Sequence, residues 1–175
     1  MIFPLPANGT VSQWPPRVKE IVSGGQSGVD RGALDAALAV GLPHRGWCPR
    51  GRRAEDGPIP AQYLLRSTKS ADYRVRTRRN VVHSDGTLIF CCGLPTGGTK
   101  WTLDWAICCG RPYHLVDFAE SQSDAAAEKK QRQSVTGWML LQGIQVLNVA
   151  GPRASRHRWI AERTRLFMCA LLRNL

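Results

Sequence analysis

The sequence predicts an α/β fold of the Rossmann-like, doubly wound kind: a mainly parallel sheet with helices on both faces. Three observations predict it. Short apolar runs alternate with helix-spaced segments in the order β-α-β-α-β-α. One run, residues 86–92, is continuously apolar, as a parallel strand buried on both faces should be. Three glycine-bearing turns follow predicted strands: Ser23-Gly24-Gly25-Gln26-Ser27-Gly28, Thr96-Gly97-Gly98-Thr99 and Ala150-Gly151-Pro152. Sheets of this kind bind ligands beyond the C-terminal ends of their strands.

The elements follow in order. Residues 18–23 read as a first strand, stopped by Gly24-Gly25. From Gly28 to Val40 apolar residues recur at 29, 33, 34, 37, 38 and 40, which is helix spacing, and Gly41 with Pro43 beyond it is a stop signal. Strand, turn and helix make the first half of a βαβ unit. Residues 46–62 show no periodicity and carry repeated Gly and Pro, so they read as a long loop, either functional or merely mobile. Residues 63–68 read as a short strand, 71–83 as a basic helix and 86–92 as the buried strand. A helix over 99–109 is stopped by Gly110 and Pro112, and a strand spans 113–117. Residues 118–133 are polar and read as a loop leading into a helix near 131–142. A last strand covers 145–150, and 155–172 form an amphipathic C-terminal helix. Residues 1–17 read as a loose N-terminal arm before one ligand-binding domain over 18–175.

Composition narrows the function classes. A chain of 175 residues, 43% hydrophobic and 21% charged, suits one globular core. It has no run of about 18 apolar residues, and its first residues lack a basic region followed by an apolar stretch. Neither a membrane span nor a secretory signal is expected, and the expected location is cytoplasmic. The six cysteines show no C-x-x-C and no zinc spacing, so they read as reduced thiols and no protein-bound metal is expected. The formal charge of +11 has two readings: a nucleic-acid surface, or an arginine-lined anion site with ordinary surface arginines. No helix-turn-helix, zinc-finger, RRM or KH signature accompanies it, which disfavours nucleic acid as a partner.

The chemistry is expected at the glycine turns. Glycine lets the backbone approach a ligand closely, and the N–H groups and dipole of the following helix favour a phosphate. Neither GG turn is a Walker A loop, and G-x-G-x-x-G is absent, so ordinary NAD binding is disfavoured. Gly24-Gly25 and Gly97-Gly98 are expected to form one phosphate cradle, with the 46–62 loop closing over it. The basic helix places Arg76, Arg79 and Asn80 on one side and Arg74 and Arg78 nearer another. Arg76 and Asn80 are candidates for phosphate or ribose, with a solvated basic face as the alternative. Asp104 could hold a ribose hydroxyl or act as acid or base. Asp30 and Asp35 read as helix-dipole or surface carboxylates.

Five motifs taken together carry a family resemblance. They are residues 23–31 (SGGQSGVDR), residues 46–57 (GWCPRGRRAEDG), Arg76-Thr77 with Asn80-Val81, Ser84-Asp85-Gly86-Thr87, and Thr96-Gly97-Gly98-Thr99. In this order they resemble the putative molybdenum carrier family, part of the Rossmann-like group that includes the Lonely Guy phosphoribohydrolases. The resemblance implies a doubly wound sheet, homo-oligomers, and binding of molybdenum cofactor or another nucleotide-like ligand. It extends the ligand-binding set to Gly24, Gly25, Gln26, Ser27, Gly28, Arg50, Arg76, Asn80, Asp85, Thr96, Gly97, Gly98 and Thr99.

Lonely Guy enzymes use an arginine and a G-G-x-G-T-x-x-E turn. Arg76 matches the arginine, Gly97 and Gly98 match the first glycines, and Asp104 falls where the glutamate would be. Lys100 and Trp101 replace the following Gly-Thr. Arg76 and Asp104 are thus the catalytic candidates if the chain hydrolyses an N-glycosidic bond. The departures favour binding without efficient turnover. The leading expectation is a binding or carrier protein for a phosphate-bearing nucleotide-like or pterin ligand. A nucleotide hydrolase comes second and a nucleic-acid-binding protein third. Oligomers are expected through helices on one sheet face, with Ile160, Phe167 and Leu171 of the last helix as the apolar stripe.

Overall fold

The computed structural model describes residues 18–119 and 124–173. The arm expected over 1–17 lies outside the described residues. Among them, six strands form one sheet in the order β5-β2-β1-β8-β6-β7, and every pairing is parallel. The strands are β1 (Glu20–Val22), β2 (His44–Cys48), β5 (Leu65–Ser67), β6 (Gly86–Cys91), β7 (Tyr113–Asp117) and β8 (Val146–Ala150). A small antiparallel hairpin, β3 (Arg53–Ala54) with β4 (Gly57–Pro58), stands apart. Helices α1 (Val29–Ala39), α4 (Ala125–Gln142) and α5 (Ile160–Arg173) group on one face, and α2 (Tyr73–Val82) and α3 (Gly97–Cys108) on the other. The chain winds outward from β1 through β2 to β5. It then crosses to β6 and β7 and returns to place β8 between β1 and β6. That reversal leaves a crevice at the C-terminal ends of the central strands.

The apolar pattern accounts for this arrangement. All six residues of β6 are buried, as its continuous apolar run requires. The main core lies under α1, α4 and α5, where Phe90 meets Phe118 at 4.9 Å and Phe167 at 5.3 Å between ring centroids. Helices α1 and α5 pack almost backbone to backbone. A Cβ on Gly32 would fall 2.2 Å from the carbonyl oxygen of Ala161, so no larger residue fits there without moving a helix. No helix among the described residues is long and apolar enough to cross a membrane.

Three expectations change. Residues 44–48 are a strand, β2, in which His44, Gly46 and Cys48 face inward. The alternation is present, but a histidine and a glycine carry it, so it does not read as apolar. The polar stretch expected as a loop over 118–133 is helical from Ala125. Alanine, Glu, Lys, Gln and Arg are strong helix formers, and Asp124 caps the end by accepting the Ala126 N–H at 2.8 Å. Finally, α5 starts at Ile160 rather than 155, and residues 151–159 run as turns past the crevice. The stripe expected to face a partner copy is buried in this chain's own core: Ile160 and Phe167 are 0% exposed and Leu171 1%.

Candidate functional site

A cleft of about 420 Å³ opens where β1, β6 and β8 end. Three chain segments wall it. The β1–α1 turn contributes Gln26 and the first turn of α1 Asp30, the β6–α3 connection contributes Cys91, Cys92 and residues 94–99, and the segment after β8 contributes Ala150–Arg153 and Ser155–His157. Helix α2 closes the remaining side with Tyr73, Arg76 and Thr77.

Arg76 and Asp30 organise the floor. Arg76 Nη1 donates to Asp30 Oδ2 at 3.0 Å, and the Gln26 N–H reaches the same oxygen at 3.3 Å. Both side chains are largely out of water, at 14% and 4% exposed. Burial pushes the Asp30 carboxyl above its usual range, and the Arg76 guanidinium opposes that rise. The guanidinium lies directly on Gly24, where a Cβ would fall 1.6 Å from Nη1. Asp30 is therefore the buried counter-ion of the cleft arginine, not the dipole or surface carboxylate expected. Asp35 instead accepts from the Tyr63 hydroxyl at 2.7 Å. Two residues that line the cleft, Arg76 and Gln26, each carry a buried donor, Nε and Nε2, with no hydrogen-bond partner among the described residues.

The two glycine pairs have different surroundings. Gly97 and Gly98 are exposed, line the cleft and begin α3, whose cap Thr96 makes no side-chain hydrogen bond to it. Thr96 and Thr99 line the cleft beside them. Gly24 and Gly25 lie under side chains instead: Arg76 covers the first, and Leu65 and Ile59 crowd the second, which has φ +74°. Gly28, at φ +96°, packs on Pro152, whose carbonyl accepts the Val29 N–H at 3.1 Å. Protein groups thus occupy the start of α1, and the helix end that faces the cleft is that of α3. The single cradle formed by both pairs does not exist.

The remaining predicted residues fall elsewhere. Asn80 is buried with its amide on the backbone of Trp47, accepting that N–H at 2.7 Å and donating to its carbonyl at 3.1 Å. It fastens α2 to β2 and does not reach the cleft. Asp85 lies at the opposite end of the sheet, where it accepts the N–H groups of Gln145 and Val146 at 3.0 and 2.7 Å. Arg50 is exposed and does not line the cleft. Asp104 points outward on α3 in an exposed pair with Lys100 at 2.7 Å, so it is absent from the cleft where a hydrolase would need it.

The 46–62 segment is held to its neighbours by hydrogen bonds. Arg52 donates to four carbonyls, those of Ile59, Pro60, Tyr63 and Leu65, at 2.8–3.1 Å. Burial and the Asp35 hydrogen bond push the Tyr63 phenol up to about 12. The hairpin of this segment forms a strap. Glu55 accepts from Ser27 Oγ, from the Ser155 N–H at 3.0 Å and from Ser155 Oγ at 2.7 Å. Ser27 therefore serves the strap. Partial burial pushes the Glu55 carboxyl up, but these hydrogen bonds outweigh it and the net shift is downward.

Sequence reasoning missed Tyr73, Arg153, Arg156 and His157 as cleft residues. The Ala150-Gly151-Pro152 turn was the available signal, because the residues after a glycine turn at a strand end face the crevice. Reading a helix from 155 concealed it. The other arginines of α2 lie on tryptophan rings: Arg79 on Trp47 at 4.4 Å and Arg78 on Trp105 at 5.5 Å, both outside the cleft, and Arg74 at 5.9 Å from the ring of Trp101, which lines it. All six cysteines stand as thiols. Among the described residues no three His, Cys, Asp or Glu side chains cluster so as to hold a metal ion.

Comparison with known proteins agrees with the fold. Residues 21–172 match the sequence model of the circularly permutated YpsA SLOG family. A crystal structure from Syntrophus aciditrophicus SB, described as a putative molybdenum carrier protein, superposes with a TM-score of 0.83 at 37% identity. The match covers 90% of this chain and 96% of that one. No curated protein matches the chain.

Proposed function

Because the chain belongs to the circularly permutated YpsA SLOG family, we propose that it is a binding or carrier protein for a phosphate-bearing, nucleotide-like or pterin ligand, with molybdenum cofactor as the named candidate. The observation that carries the proposal is the incomplete floor of the cleft. Arg76 is held by Asp30, yet its buried Nε lacks an acceptor among the described residues. A phosphate oxygen supplies that acceptor, and guanidinium is well suited to it. The α3 N-terminus adds backbone N–H groups and a favourable dipole, and Arg153 and Arg156 add charge. Tyr73 and Trp101 offer flat surfaces for a planar ring further out.

The donor set fits a phosphate tail and a heterocycle. It lacks a metal-ligating cluster among the described residues, so a molybdenum in the cargo would be held by the pterin. The carrier description belongs to the Syntrophus protein and supplies the candidate ligand here. Asp104 outside the cleft weighs against turnover of a nucleotide. Homo-oligomerisation belongs to the same reading, through the exposed Trp101 and Ile107 of α3 and Tyr113 and Leu115 of β7. Light scattering giving a monomer mass at micromolar concentration rejects it. Thiol cysteines suit a reducing cytoplasm.

The test is mass spectrometry of small molecules released from the purified native protein, followed by calorimetric titration of what is found. A phosphorylated pterin or nucleotide is expected, with affinity falling at least tenfold in Arg76→Met, as loss of a charged hydrogen bond requires. Protein that carries no such molecule and binds neither nucleoside monophosphates nor inorganic phosphate refutes the proposal.

A further inference from the structure

We infer that Gln26 selects the inner group of the ligand by demanding a hydrogen-bond acceptor, and that the β3–β4 strap, through Glu55, sets Gln26 for that task. The inference rests on the anion-site reading above and adds what the site excludes.

Gln26 is 4% exposed and lines the cleft. Its Oε1 accepts the Ser27 N–H at 3.2 Å and the Glu55 N–H at 2.8 Å. Two donors on one side of the amide fix its rotation, because turning it would set the NH₂ against both. The NH₂ is therefore the end left for a ligand, and Nε2 has no partner among the described residues. A buried N–H without an acceptor is uncommon and needs a reason.

Glu55 enforces this orientation from a distance. Its carboxylate is anchored on Ser27 and on Ser155, which places its own N–H on Gln26 Oε1. Its neighbour Asp56 pairs with Arg31 of α1 at 2.9 Å, so the strap is tied to α1 and to the 153–157 wall together. Gln26 is the contact, and Glu55 is a positioning residue acting through it.

Arg76 Nε makes the same demand from α2. The ligand class that meets both is a phosphate ester, whose non-ester oxygens are all acceptors. An ammonium, an amide NH₂ or another donor turned toward Gln26 meets a donor and is rejected.

Inorganic phosphate, followed by ³¹P NMR with the full chain, tests both parts. Gln26→Glu keeps an oxygen for the two N–H groups but turns a carboxylate toward the cleft, and its affinity should fall roughly a hundredfold. Glu55→Ala should weaken binding about tenfold, as one lost hydrogen bond to a charged group does. Glu55→Gln, which can still accept from Ser27 and Ser155, should restore affinity to within about threefold. Melting curves establish that each variant is folded. A crystal of the wild-type protein with phosphate should also show an oxygen within about 3.2 Å of Gln26 Nε2.

Wild-type affinity in folded Gln26→Glu, or phosphate bound away from Nε2, overturns the role of Gln26 alone. Wild-type affinity in Glu55→Ala, or Glu55→Gln as weak as Glu55→Ala, overturns the positioning role. A wild-type protein that binds no phosphate sinks the anion-site reading and this inference with it.

Discussion

Replacing Gly24 by alanine probes the centre of the site with a single methyl group. The added Cβ falls 1.6 Å from Arg76 Nη1, 2.5 Å from its Cζ and 2.8 Å from Asp30 Oδ2. Gly24 has no positive φ, so backbone strain does not enter and the effect is steric. Arg76 must leave, and Asp30, 4% exposed, loses its counter-ion. Breaking a buried pair costs about 3–5 kcal/mol. Arg76 can swing into the open cleft and rehydrate, which points to the low end, about 3 kcal/mol. For a chain of this size that lowers the melting temperature by about 6–12 °C. The pH dependence has a definite sign. A carboxyl whose folded pKa is raised gives its stabilisation at low pH and loses it as pH rises through the folded value. Unpairing Asp30 raises that value further, so the deficit of Gly24→Ala is largest at neutral pH and narrows as pH falls. Gly98→Ala is the control: nothing lies within 4 Å of its Cβ, and it should change stability by no more than about 0.5 kcal/mol. Differential scanning calorimetry at several pH values measures both variants. A melting temperature for Gly24→Ala within about 2 °C of wild type refutes the buried-pair account.

Further outcomes follow from the same geometry. Asn80→Ala leaves a backbone N–H and a carbonyl of Trp47 unpaired, and urea unfolding should show a loss of about 2 kcal/mol with phosphate affinity unchanged. Asp104→Asn removes only an exposed i,i+4 pair, worth at most about 0.5 kcal/mol, and should leave phosphate binding as it was. Chromatography of nucleoside monophosphates incubated with the wild-type protein should show no free base, and release that depends on Asp104 would restore the hydrolase reading. Glu55 has a depressed folded pKa, so its contribution is present above the ordinary glutamate value of about 4.3 and is lost as pH falls through the folded value. Acid unfolding below that point should be shallower in Glu55→Gln than in wild type; equal slopes would show that the strap carboxylate is not what titrates.

Much of the fold was legible because its signals are local. The apolar run of β6, the 3.6-residue spacing of α1 and the stop at Gly41 and Pro43 each act within a few residues of where they are read. They sufficed for an α/β sheet with a cleft at the strand ends, and the ordered motifs sufficed for the family. Where signals were weak, the reading failed for identifiable reasons. β2 carries its alternation on His44, Gly46 and Cys48, and α4 begins with residues whose polarity obscures their helix propensity.

Within the site, the sequence by itself determined which kinds of group would be present: arginines on α2, glycines at the strand ends and a carboxylate on α1. Only the tertiary structure decided what each one does. Arg76 and Asp30 are 46 positions apart and Ser155 and Glu55 are 100 apart, and each pair meets because the crossovers bring the ends of β1, β6 and β8 to one crevice. Asn80, Asp85 and Asp104 are the same polar residue types, but the packing turns them to a strand backbone, the opposite end of the sheet and the solvent. A side chain's chemistry is written in its identity, whereas its partner is set by long-range packing, which no local window of the chain contains.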